Sequence, residues 1–159
     1  MKYEKYDVNG YRFHTEDHQK SRPNAKTVNT GVFTRGARGA GGGDYVDYYG
    51  RLERVYELTF NRTNIELKII VFKCHWFDPC TGPHGGQRSD PSIGLVEVKP
   101  STTYSGADVF IVAHQAKQVY YLPTHVRNRD SRDGKSCSRY HHMVSYPCPM
   151  VTITTTLTL

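Results

Sequence analysis

Ten consecutive residues, Val71 to Cys80 (VFKCHWFDPC), hold two cysteines, a histidine, an aspartate and the only tryptophan of the chain. Thiolate and imidazole are the usual ligands of structural zinc, and a thiol served by a nearby histidine is the heart of a cysteine nucleophile. Zinc sites favour ligand pairs spaced by two to four residues, whereas five residues separate Cys74 from Cys80. A second half-site would have to come from Cys137 with His141, His142 or Cys148. The plainer reading is packing. In an extended strand Phe72, Cys74 and Trp76 share one face while Lys73, His75 and Phe77 share the other. Cys74 is then a small buried hydrophobe and Cys80 a loop thiol.

Other chemistry is no better assembled. No third group stands in a local signature that would orient a thiol and its base. Asp44, Asp47, Asp78, Asp90 and Asp108 are scattered over loop-like stretches instead of clustering around a divalent ion. The run GARGAGGG lacks the Gly-Lys-Ser/Thr ending of a phosphate loop, and no helical pattern follows it. The expectation is a noncatalytic chain without cofactor or metal, with the zinc question for Cys74, Cys80, Cys137 and Cys148 left open.

Rings offer the remaining chemistry. Tyr48, Tyr49, Trp76 and Phe77 bracket the best strand pair in the sequence. At the rim of a small barrel such rings cage a cation or stack on a base. Turned inward, they fill a core or its lid. Both readings stand at this point. Tyr120 and Tyr121 must likewise point to opposite faces of a strand.

The elements that would position these residues are strands. YYGRLERVYELTF reads as a strand beginning after Gly50, with Leu52, Tyr56, Leu58 and Phe60 of one parity and Arg54 interrupting the alternation. Asn61 to Asn64 supplies a turn, and IELKIIVFKCHWF returns as a strand continuously apolar from Ile69 to Phe72. An antiparallel hairpin follows. DPCTGPHGGQRSDPS reads as a long loop, IGLVEV as a further strand, and VFIVA with QVYYL as two short strands around a tight turn. Upstream, Asn9–Gly10 marks a turn, Tyr11 and Phe13 alternate in a short strand, and GVFTRG is another. With no long helical pattern, the fold class is all-β: a small SH3-like barrel or compact antiparallel sandwich with irregular termini.

The organisation reads as three stretches. Residues 1–43 are polar, with short strands and a glycine loop; residues 44–122 form the β core; residues 123–159 are a basic linker and a threonine-rich tail able to add one strand. The chain has 159 residues, enough for one domain with its own core. Its mean hydropathy of -0.62 is low, so some segments should pack poorly. The formal charge is +6, and the excess is uneven. Residues 123–159 carry five basic side chains, Arg127, Arg129, Arg132, Lys135 and Arg139, against two acidic ones. That suits a loose contact with nucleic acid, and equally a solvated linker. No run of 18 apolar residues is present, so no membrane helix is expected. MKYEKYDVNGYRF lacks the apolar core of a secretory signal, so the cysteines are expected to stay reduced.

Several runs, taken in order, resemble a family. They are VNGYRFHT, NTGVF, DYYGRLERVYELTF, IIVFKCHWFD and VFIVAHQAKQVYYL, together spanning about residues 8 to 122. The family is domain of unknown function 4216, which is associated with plant CACTA-type (En/Spm-like) DNA transposon proteins. Its signatures fall here on Asn9–Thr15, Asp47–Gly50, Phe72–Asp78 and Ala113–Tyr121. The resemblance brings no catalytic residues. It implies a transposon-derived binding module, nuclear, with nucleic acid, chromatin or other nuclear proteins as partners and no membrane. A protein-interaction or structural module is the alternative. The chain has no evident transposase catalytic region and resembles a fragment or small protein derived from such an element. After Leu122 it departs from the family pattern.

Overall fold

The structure is a computed structural model describing residues 2–24, 28–38, 45–62, 65–81, 85–90, 94–107, 109–123 and 141–144. Its spine is the expected hairpin. Strand β5 (Tyr45–Arg62) and strand β6 (Ile65–Trp76) pair antiparallel from Arg62 opposite Ile65 to Gly50 opposite Trp76. β5 begins at Tyr45 and runs straight through Gly50, six residues before the expected start.

One bulge corrects the alternation. Leu52 opposes Cys74, but Arg54 opposes Lys73, so Glu53 is an extra residue. The insertion exchanges the faces. Leu52 and Val55 both become fully buried, whereas Arg54, Tyr56, Leu58 and Phe60 turn to the other side. Leu52 therefore does not share a face with Tyr56, Leu58 and Phe60. Glu53 pairs with Lys73 at 2.7 Å beside the bulge.

Around this hairpin the sheet runs β7-β8-β11-β10-β4-β5-β6-β9, with β1 paired to β5 off that path. The members are β1 (Lys2–Tyr3), β4 (Gly31–Arg38), β7 (Gln87–Asp90), β8 (Leu95–Val98), β9 (Phe110–Val112), β10 (Lys117–Pro123) and β11 (His141–Val144). A 3₁₀ turn at Ala113–Gln115 separates β9 from β10, so the two short strands stand as expected. The fold is all-β and antiparallel, an open sandwich rather than a closed barrel. β7 lies inside the stretch expected to be a loop. Its residues, Gln-Arg-Ser-Asp, carry no apolar alternation because β7 is an edge strand paired to β8 alone. The last ten residues, read as a closing strand, lie outside the described residues. The strand seen in that region is β11, between β10 and β8.

The amino-terminal residues complete the main core. β2 (Lys5–Val8) and β3 (Tyr11–His14) form a hairpin closed by Asn9 and Gly10, whose φ angles of 54° and 79° are both positive. Asn and Gly are the residues that tolerate this two-residue turn. The Asn9 amide donates to the His114 carbonyl at 2.8 Å and pins the turn to the 3₁₀ segment. A short helix α1 (Glu16–Lys20) follows, its first turn capped by the Thr15 hydroxyl, which accepts from His18 N–H. Phe13 is fully buried, 5.2 Å from Phe72 ring to ring. It joins Val32, Leu52, Val55, Phe72, Cys74, Trp76, Ala113 and Ala116 in one cluster. Each such large side chain contributes about 1.5–3 kcal/mol by burial. A second cluster, Tyr49, Phe77, Val98 and Val119, packs with Phe33, Val96 and Tyr121.

Candidate functional site

β6 delivers the chemistry-bearing residues of VFKCHWFDPC to two faces, as its alternation requires. Phe72, Cys74 and Trp76 enter the first cluster and Phe77 enters the second. Trp76 is 3% exposed and Phe77 1%. Neighbours in sequence, they anchor opposite layers and form no common rim.

The Tyr48–Tyr49–Gly50 run explains itself against this strand. Tyr48 points with Trp76 (6.2 Å between centroids) and Tyr104 (5.5 Å). Tyr49 points the other way, 5.0 Å from Phe33. Between them and the tryptophan, Gly50 supplies room. A Cβ there would lie 2.5 Å from the His75 carbonyl oxygen and 2.6 Å from Trp76 Cε3. The glycine is required by close approach, with no need for an unusual φ. Tyr121 donates its hydroxyl to the Gly50 carbonyl from the far side. Arg51 then lays its guanidinium over Phe77 (5.5 Å) and Tyr121 (5.7 Å), with Glu16 at 3.6 Å. Of the four candidate rim residues, only Tyr48 is more than marginally exposed, and it packs against Trp76 and Tyr104.

The thiols are poorly placed for nucleophilic work. Cys74 is buried, and burial pushes its thiol well above the ordinary range, with Glu53 adding to the effect. Cys80 is exposed, and its hydrogen bond to Asp78 raises it too. A nucleophilic thiol needs the opposite shift. No group of three His, Cys, Asp or Glu able to hold a metal occurs among the described residues. Cys137 and Cys148 lie outside them, as do Arg127, Arg129, Arg132, Lys135 and Arg139.

Two surface features were not anticipated from the sequence. Past the bulge, the β5–β6 ribbon carries Leu58, Phe60 and Leu67 on one face, 43%, 51% and 54% exposed. Phe110 of β9, 53% exposed, extends that face beside Tyr56, 6.2 Å away. The signal was present in the alternation of Tyr56, Leu58 and Phe60, but without the bulge it was joined to that of Leu52. The second feature is a cleft of about 380 Å³ between the start of β5, residues 79–81 and β7. Pro79, directly after the Trp-Phe-Asp run, was its sequence signal. A smaller hollow of about 270 Å³ lies beside Arg51, under α1.

The family model for the Domain of unknown function (DUF4216) matches residues 56–132, from the outward half of β5 through β10 and beyond. Over that segment the chain is similar to this family. No curated relative and no solved structure matches the chain.

Proposed function

We propose that the chain is a noncatalytic binding module whose contact face for a protein partner is the outward half of the β5–β6 ribbon. The observation that supports this is the group of exposed Leu58, Phe60, Leu67 and Phe110 on one face. A two-stranded ribbon beyond its sheet is marginal alone, and a contiguous apolar patch is the usual mark of an interaction surface. The opposite face of the ribbon is polar, with Lys68 between Glu57 (3.7 Å) and Glu66 (3.5 Å). One side of the ribbon thus suits water and the other an apolar partner surface. The test is recovery of a defined protein by the wild-type chain after nuclease treatment, reconstituted from purified components and lost with Phe60→Asp. Equal recovery by that variant overturns the reading.

A second reading, nucleic-acid or chromatin association in a nuclear, plant transposon-derived setting, draws on the +6 charge and the five basic residues from Arg127 to Arg139. It expects duplex DNA affinity to fall steeply as salt rises. No binding to DNA, RNA or histone tails at low salt would sink it.

A further inference from the structure

β6 covers one edge of β5 only as far as the end of VFKCHWF. The last ladder pair is Gly50 with Trp76, and the last link is Phe77 N–H donating to the Tyr49 carbonyl at 2.9 Å. Continued in register, β6 would lay residue 79 beside Asp47. Two local features prevent this. The Asp78 carboxylate accepts Cys80 N–H at 3.0 Å, which turns the chain. Residue 79 is proline, which has no N–H to offer a ladder. The chain crosses instead to β7, where the Cys80 carbonyl accepts from Gln87 N–H at 3.1 Å and Thr81 forms a parallel bridge with Gln87. The cleft of about 380 Å³ is the space β6 vacates, and Tyr49, Pro79, Thr81, Gln87, Ser89 and Val96 are among its lining residues.

Both walls aim backbone groups into that space. The Tyr49 and Asp47 carbonyls face away from β4: the first accepts from Phe77, the second from the Gln87 side-chain amide at 3.2 Å. In an extended strand the N–H and C=O of one residue point the same way, so Asp47 N–H also faces the cleft. On β7, Gln87 N–H points away from β8 toward Cys80, and Ser89, two residues on, repeats that direction. The Gln87 amide reaches across to the β5 edge and does there what a strand's N–H would do. The Gln87 amide therefore stands where an added strand would pair with the β5 edge. The buried Tyr49 ring and the partly buried Val96 give the cleft an apolar floor.

We propose that this cleft binds an extended peptide segment of another protein. The peptide enters antiparallel to β5 in the line of β6, displaces the Gln87 amide from Asp47 and lays an apolar side chain on Tyr49 and Val96. A peptide strand presents alternating donors and acceptors on both of its edges, which is the pattern these two walls require. Residues 77–81 already make the same pair of contacts lower in the cleft, antiparallel to β5 at Tyr49 and parallel to β7 at Gln87. The site shares no residue with the outward ribbon face, so the two readings can fail separately.

The probe is a random peptide library displayed on phage and selected on the immobilised full chain, with enriched peptides synthesised and titrated by fluorescence anisotropy. The expected result is an enriched peptide whose addition slows hydrogen exchange at the Asp47 and Ser89 amides of the wild-type chain. Its affinity should fall at least about tenfold with Val96→Trp, which fills the cleft, and with Asp47→Pro or Ser89→Pro, which remove an edge donor. Slow exchange at the Leu52 and Cys74 amides identifies the variants that keep their fold. Phe60→Asp should bind the peptide as the wild type does. The proposal is overturned if no peptide is enriched, or if the enriched peptides leave Asp47 and Ser89 exchange unchanged. Equal binding by a folded cleft variant also overturns it. So does dimerisation of the free chain abolished by Val96→Trp, which makes a second copy the occupant.

Discussion

The two halves of one hairpin obey the same alternation and meet opposite fates. Near the sheet centre, one face of residues 50–55 of β5 and 72–76 of β6 is sealed in the Phe13–Trp76 cluster, and at the end of that stretch Tyr49 and Phe77 enter a second cluster on the other face. Past the Glu53 bulge, residues 57–61 and 66–70 have a polar face and an apolar face, and the apolar one is open to water. The difference lies in what the rest of the chain brings to each half. The β2–β3 hairpin, β4 and β10 all arrive at the inner half, whereas β1 reaches the outer strand only at Val55 and Tyr56. Aromatic content does not decide which residues are core. Topology does.

The sharpest way to break this comparison is to truncate one ring in each half. Trp76→Ala empties a site that is 3% exposed and should cost roughly 3–5 kcal/mol. Phe60→Ala, at 51% exposed, should cost under about 1 kcal/mol. Urea unfolding of both variants, read as a shift in midpoint at constant slope, measures the contrast. Similar costs would mean that the outer ribbon is covered in solution and that the two halves are alike.

A smaller effect is expected where the inner half is tightest. Gly50→Ala places its methyl against the His75 carbonyl and the Trp76 ring, both closer than real contacts allow. The penalty should be roughly 1–3 kcal/mol, the range of overpacking. The carbonyl is backbone and cannot swing aside, so Trp76→Phe in the same chain should recover only part of the loss. Full recovery would place the conflict at the ring alone.

The inner half was legible in the sequence, and the outer half was misread, for one physical reason. A strand's period of two shows which residues share a face only while the register is unbroken. From Phe72 to Phe77 it is unbroken, and Cys74 and Trp76 fall on the core face as their parity demands. One extra residue, Glu53, leaves no mark in composition yet reverses every face after it. The Arg54 interruption was the visible trace. The strands β7 and β11 were hidden differently, since edge and short strands held by neighbours need no apolar pattern of their own. The cleft beside Asp47 showed in the sequence only as Pro79, because its shape depends on where residues 79–81 go once they leave the β5 edge. The basic residues that motivated nucleic-acid contact lie between β10 and β11, outside the described residues.

The mildest test separates the two clusters by pH. The first cluster is built from apolar side chains, Cys74 and Trp76, whereas the second contains Tyr49, 7% exposed. Burial pushes the Tyr49 phenol up from 10.0 to about 12, with Asp47 adding to the rise and Arg35 opposing it. A folded-state value above the unfolded one means that the neutral phenol supports the fold. Its contribution is complete below 10.0 and is lost as pH rises through about 12. Unfolding midpoints measured across that alkaline window should fall, and ultraviolet phenolate absorbance should lag behind that of the exposed tyrosines. Tyr49→Phe should flatten part of the fall. It should not remove all of it, because burial also raises the Cys74 thiol of the first cluster and the Tyr121 hydroxyl, which donates to the Gly50 carbonyl. The Gly50 carbonyl thus ties the second cluster to the position that makes room for Trp76 in the first. If alkaline unfolding begins with the phenols, loss of Trp76 fluorescence should follow phenolate formation and not precede it. Tryptophan emission that changes while the phenols are still neutral would show that the layers open independently.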